Sequence, residues 1–94
     1  MSASRRVVVT GMGIISPLGN ELETTWQNIL AGRSGAKTVT AFDVTDYPTK
    51  FAAPVENFDD INHLDVKTKR RVDEFVQYGL VASKDAIENS GLEL

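Results

Sequence analysis

The chain has 94 residues, 41% hydrophobic and 24% charged, with a net charge of −3 and no cysteine. This composition fits one soluble globular domain or less and excludes a disordered tail, a disulfide framework, a cysteine-based zinc site and a cysteine nucleophile within these residues. The acidic balance gives no general reason to bind nucleic acid or an anionic membrane, and the longest apolar run is too short to cross a bilayer.

Residues Met1 to Arg6 lead straight into apolar β-branched sequence instead of a signal-peptide segment, so a cytoplasmic setting is expected. Arg5 to Gly13 reads as a central strand of a parallel sheet. The run Val7, Val8, Val9 lacks polar alternation, as a strand covered by helices on both faces does. Such a strand needs neighbours, and no later segment has comparable character. Gly11, Gly13, Pro17 and Gly19 punctuate a loop. Asn20 then stands as a candidate N-cap, with Glu23 completing a capping box. Leu22, Trp26, Ile29 and Leu30 form one apolar stripe expected to pack on the sheet, and Gly32 is the expected stop. Ser34 to Asp60 reads as a long excursion with short extended pieces at Lys37 to Phe42 and Lys50 to Val55.

A second helix is expected from about Asp65 to Ser90, ended by Gly91. Its buried face is expected to hold Val72, Phe75, Val76, Gly79, Leu80, Ser83, Ala86 and Ile87. Gly79 costs roughly 1 kcal/mol relative to alanine in a helix, which close approach of a neighbouring element would explain. After Gly91 only Glu93 and Leu94 follow Leu92, where an α/β chain would normally enter its next strand. The sequence therefore reads as the opening of a larger α/β fold.

Three constellations bear on chemistry. Strand, Gly11-Met12-Gly13 and helix resemble a dinucleotide-binding turn, but the third glycine position is Ser16 and the helix is delayed to Asn20, so a structural turn is the better account. Ser16 has no local base to make it a nucleophile. His63 stands beside Asp59, Asp60 and Asp65 without the spacing of a calcium loop or a second zinc ligand, and reads as part of a solvated loop. The third is the basic cluster Lys67, Lys69, Arg70 and Arg71. In the first turns of a helix the macrodipole disfavours cations by a few tenths to about 1 kcal/mol each. At about 100° per residue, Lys67, Arg70 and Arg71 converge on one side, roughly 150° from the Phe75, Val76, Gly79, Leu80 stripe. Two readings stay open: a solvated face balanced by Asp65, Asp73 and Glu74, and a surface for an anionic partner.

In chain order, Arg5-Arg6-Val7-Val8-Val9-Thr10-Gly11-Met12-Gly13, Ser16-Pro17-Leu18-Gly19-Asn20, Thr25-Trp26, Leu30-Ala31-Gly32-Arg33-Ser34-Gly35, Phe42-Asp43, Thr49-Lys50-Phe51-Ala52, Asp73-Glu74-Phe75-Val76-Gln77-Tyr78-Gly79 and Ser90-Gly91-Leu92 resemble the N-terminus of the β-ketoacyl-acyl carrier protein synthases. The Thr-Lys-Phe-Ala and Phe-Val-Gln-Tyr-Gly stretches are most similar to the type II synthases. The resemblance implies the N-terminal part of a thiolase-like α-β-α-β-α sandwich, incomplete in this chain, usually in a homodimer and without a cofactor. It implies fatty acid elongation by decarboxylative Claisen condensation, in which a cysteine takes an acyl chain from acyl carrier protein. Malonyl carrier protein then loses carbon dioxide, and the carbanion attacks the thioester with the help of two histidines. None of those catalytic residues falls in these 94, and His63 matches neither histidine motif. The resemblance does carry over a docking site for the acidic carrier protein, at Lys67, Arg70 and Arg71; Lys69 is left out. Two other classes remain as alternatives: a self-contained, non-enzymatic module that binds an acidic protein through the same basic helix, and, on weaker grounds, a nucleotide-binding domain.

Overall fold

The computed structural model describes residues 4–58 and 64–93. His63 with its neighbours 59–62 lies outside the described residues. In chain order the elements are α1 (Leu22–Leu30), β1 (Lys37–Thr38), β2 (Phe51–Ala52), α2 (Val66–Arg71) and α3 (Glu74–Ser90).

The Arg5 to Gly13 segment takes no part in a sheet: β1 and β2 make up the two-stranded sheet of the described residues. A strand is defined by its ladder, and nothing in the described chain offers this segment a partner. Val7, Val8 and Val9 consequently stand 92%, 66% and 80% exposed. The segment does meet α3 at its end. A Cβ on Gly11 would overlap the Ala86 carbonyl oxygen and Ser90, and one on Gly13 would overlap the Ala82 carbonyl oxygen. The two glycines let backbone lie against helix, and the Met12 N–H donates to Asn89 Oδ1 at 3.0 Å.

Ser16 to Gly19 closes a tight turn. Each of the two residues donates its N–H to the other's carbonyl, at 2.9 and 3.2 Å, and the Ser16 hydroxyl accepts from the Leu18 N–H at 3.2 Å. Thr25 is buried and bonds both the Ser16 hydroxyl and the Gly19 carbonyl at 3.2 Å. Asn20 is not the N-cap of α1. That position is Glu21, which makes no side-chain cap, while Asn20 Nδ2 donates to the Glu56 carbonyl across the chain. Glu23 accepts from Gln27 Nε2 at 2.8 Å instead of closing a capping box. The stripe on α1 is also uncovered, with Trp26, Ile29 and Leu30 exposed, because the sheet it should pack on is not formed.

The excursion folds on itself. β1 and β2 pair antiparallel with Lys37 opposite Ala52 and Thr38 opposite Phe51, and the Val39 N–H adds a bond to the Lys50 carbonyl at 2.9 Å. The strands are shorter than their extended sequence signal because the chain turns away after Ala41 on one side, and Pro54 has no N–H to extend the ladder on the other. Lys50 Nζ donates to the carbonyls of Val44, Thr45 and Tyr47 at 3.2, 2.9 and 2.9 Å, gathering the intervening loop around one cation.

The expected second helix is broken. α2 ends at Arg71, Val72 is extended (φ −127°, ψ 150°), and Asp73 (φ −68°, ψ 162°) begins α3 as its N-cap. Asp73 makes no side-chain cap; its carbonyl accepts from the Val76 and Gln77 N–H groups at 3.1 Å each, and aspartate's weakness inside helices fits a break at this point. At the far end Gly91 takes φ 73°, the left-handed stop. The buried side of α3 also differs from the expected stripe. Of that stripe Val72, Val76 and Ala86 are half-buried and Phe75, Gly79, Leu80, Ser83 and Ile87 are exposed, whereas Val81, outside it, is fully buried and Ala82 and Asp85 are half-buried. Small side chains face the glycine segment because its backbone comes close, while the bulky Phe75, Leu80 and Ile87 are covered only in part. Nothing lies within 4 Å of a Cβ built on Gly79, so close approach there is not observed.

Among the described residues the buried hydrophobic side chains are Phe58 and Val81, with Phe58 edge-on to Tyr78 at 4.7 Å between ring centroids. The accessible surface is 7783 Å², against roughly 5,400 Å² for a compact monomer of this mass. The radius of gyration is 17.4 Å, where about 12 Å is usual for this length. These values match an α/β segment whose apolar faces are uncovered, and they disfavour the self-contained module.

Candidate partner-docking surface

α2 is built from Asp65 forward. Asp65 is extended (φ −73°, ψ 161°) and accepts from the Thr68 N–H at 2.7 Å, an N-cap that satisfies one free donor of the first turn. The Thr68 side chain first, and its backbone N–H second, hold the Asp65 carboxyl below the ordinary carboxylate value. The six-residue helix buries none of its residues.

Lys67, Arg70 and Arg71 are exposed and Lys69 is half-buried. At i, i+3 and i+4 the first three share one face of α2. The break changes their electrostatic setting. Lys69, Arg70 and Arg71 occupy the last turn of α2, where the negative helix end favours cations, and not the early turns of a long helix. For those three the expected dipole cost is absent, while Lys67 in the first turn keeps it, so the argument for an anionic partner drawn from four early-turn cations lapses. The roughly 150° separation from the Phe75 stripe also lapses, since one helical axis no longer carries both sets. What remains is exposure without pairing. Among the described residues the ion pair is Lys37 with Glu56, and none of the four cations enters one.

The junction with α3 holds a residue that periodicity overlooked. Gln77 Nε2 donates to the carbonyls of Lys69 and Val72, both at 3.2 Å, while the Gln77 N–H donates to the Asp73 carbonyl at 3.1 Å. Two carbonyls at the open end of α2 thus find partners on α3. A lone amide among the apolar residues of Phe75-Val76-Gln77-Tyr78 is the signal that the sequence offers.

The other candidates do not converge on chemistry. Ser16 is spent on its turn. Gly11 and Gly13 are explained by packing on α3, and the cavity of ≈ 480 Å³ beside Gly13 is walled by Glu21, Glu23 and Asp85, the wrong charge for a pyrophosphate. No group of three or more metal-ligating side chains occurs among the described residues, and none of their helices is long and apolar enough to cross a membrane.

A glycine-bearing segment on α3, a two-stranded sheet and the cationic α2 make up a piece of an α/β protein with a cationic face. Residues 4–94 match the family model of the beta-ketoacyl synthase N-terminal domain, and the chain belongs to that family. It is similar to 3-oxoacyl-[acyl-carrier-protein] synthase 2 of Coxiella burnetii, 49% identical over 96% of this chain and 22% of the relative. The protein of the same name from Vibrio cholerae is 47% identical over 98% and 22%, and that from Staphylococcus aureus 42% over 100% and 23%. The chain thus spans less than a quarter of the length of these relatives. Among solved structures, the ishigamide ketosynthase/chain length factor superposes with a TM-score of 0.79 at 33% identity, over 97% of this chain and 23% of that one.

Proposed function

We propose that the gene product to which these residues belong is a type II β-ketoacyl-acyl carrier protein synthase, elongating fatty acids by decarboxylative condensation of an acyl-enzyme with malonyl carrier protein. In this reading it is a cytoplasmic homodimer of thiolase-like sandwiches. The 94 residues supply the opening of the first half and no catalytic group. Their own contribution is docking: Lys67, Arg70 and Arg71 receive the acidic acyl carrier protein. The observation that carries this role is a set of exposed cations on one face of α2, unpaired among the described residues, in a chain of net charge −3. Such a patch steers an acidic partner and loses its pull as salt screens it.

The test is the double variant Arg70→Glu/Arg71→Glu in the full-length gene product. KM for acyl and malonyl carrier proteins should rise about tenfold or more, with turnover of a small thioester substrate unchanged. An unchanged KM removes the docking role. Absence of condensation by the unaltered gene product removes the enzymatic reading itself.

A further inference from the structure

The cationic face sits on a helix that cannot hold its own position. α2 has six residues and buries none of them, well below the roughly 12–15 residues at which an isolated helix becomes even marginal. Its direction therefore depends on what grips its ends. At the start, Asp65 caps Thr68, a bond internal to the segment that fixes the helix but not its bearing. At the finish, the grip comes from α3: one amide group, Gln77 Nε2, spends its two hydrogens on the carbonyls of Lys69 and Val72. Lys69 lies between Lys67 and the Arg70–Arg71 pair, so the residue being held is in the middle of the cluster. Gln77 itself is anchored in the first turn of α3 through its N–H on the Asp73 carbonyl. The extended Val72–Asp73 link would otherwise let α2 swing against α3.

We infer that Gln77 is a positioning residue for carrier-protein docking, clamping the last turn of α2 to the first turn of α3 so that Lys67, Arg70 and Arg71 are presented as one surface. The inference rests on the docking role of those three cations. Gln77 is half-buried and contributes no charge, so its effect passes through the cations and not through direct attraction of the partner. Methionine has similar length and bulk but no donor, and it separates the clamp from packing.

In the full-length gene product, Gln77→Met should raise KM for acyl carrier protein about three- to tenfold and leave kcat and the turnover of a small thioester unchanged. In the Arg70→Ala/Arg71→Ala background the same substitution should add less than twofold, because there is no surface left to present. A fall in kcat with both substrates, or an equal KM penalty in the two backgrounds, overturns the inference in favour of a general structural role. If Gln77→Met does not fold, Gln77→Ala is read the same way. Hydrogen exchange is the second measurement: amides of α2 should lose protection while those in the later turns of α3 keep it, and uniform loss along α3 overturns the clamp. The two readings fail separately. Charge reversal at Arg70 and Arg71 without effect on KM defeats the docking role, whereas an effect there with none from Gln77→Met defeats only the clamp.

Discussion

Residues 4–15 and the loop between β1 and β2 are both irregular by backbone pattern, yet they differ in what they lack. The loop closes its polar groups within a few residues: Lys50 collects three carbonyls, and Asp43 accepts from the Thr45 N–H at 3.0 Å and from its hydroxyl at 2.6 Å. Residues 4–15 carry the most β-branched run of the chain and leave it exposed, since a strand's backbone is satisfied only by another strand. Local polar chemistry can complete itself inside a short sequence. A buried-strand pattern cannot, and its information is addressed to sequence elsewhere.

The contrast can be broken most forcefully at Gly13. Gly13→Val drives a side chain into the Ala82 carbonyl and should destabilise the full-length gene product by about 2–3 kcal/mol in a denaturant melt. A neutral result would mean that segment 11–13 does not rest on α3. In the self-contained loop the counterpart is Lys50→Met, which frees three carbonyls that water can reach, so the expected cost is only about 1 kcal/mol. Limited proteolysis should then cut between residues 43 and 50 while the global melting temperature moves little, and a collapse of the whole fold would contradict the loop's independence.

The smallest effect is a titration. Asp65 has a folded pKa below its ordinary value, from the Thr68 side chain first and the Thr68 backbone N–H second, and Asp43 is lowered in the same way by Thr45. A depressed carboxylate pKa stabilises the folded form above the unfolded pKa, and that contribution is lost as pH falls through the lower, folded value. The Asp65 cap and the Asp43–Thr45 bonds should therefore hold at neutral pH and release only in acid. Exchange of the Thr68 amide should accelerate, relative to its intrinsic rate, as Asp65 takes up its proton, and an onset above the ordinary carboxylate range would refute the cap.

Part of the candidate surface was legible from spacing alone. Lys67, Arg70 and Arg71 fall at i, i+3 and i+4, and they share a face whether the helix is long or short. Their electrostatic setting was not legible, because it depends on where the helix ends. A helical pattern spans Val72 and Asp73 without interruption, but both residues are extended and two carbonyls exposed by the break are recovered by Gln77, a side chain from the next helix. Asn20 misled for a related reason. It has the side chain of a cap, yet its amide is taken by the Glu56 carbonyl, a partner that no local window contains.

By itself the sequence determined the features that short-range forces settle: the Gly91 helix stop, the extended pieces around Lys37 and Phe51, the apolar character of Val7 to Val9, and the family to which the whole pattern belongs. Only the tertiary structure decided which side of α3 is buried, that Gly11 and Gly13 serve contact with that helix, and that α2 is a separate unit held by Gln77. The physical reason is reach. Propensity and capping act over a few residues, whereas packing and the satisfaction of broken helix ends depend on groups brought together from distant parts of the chain.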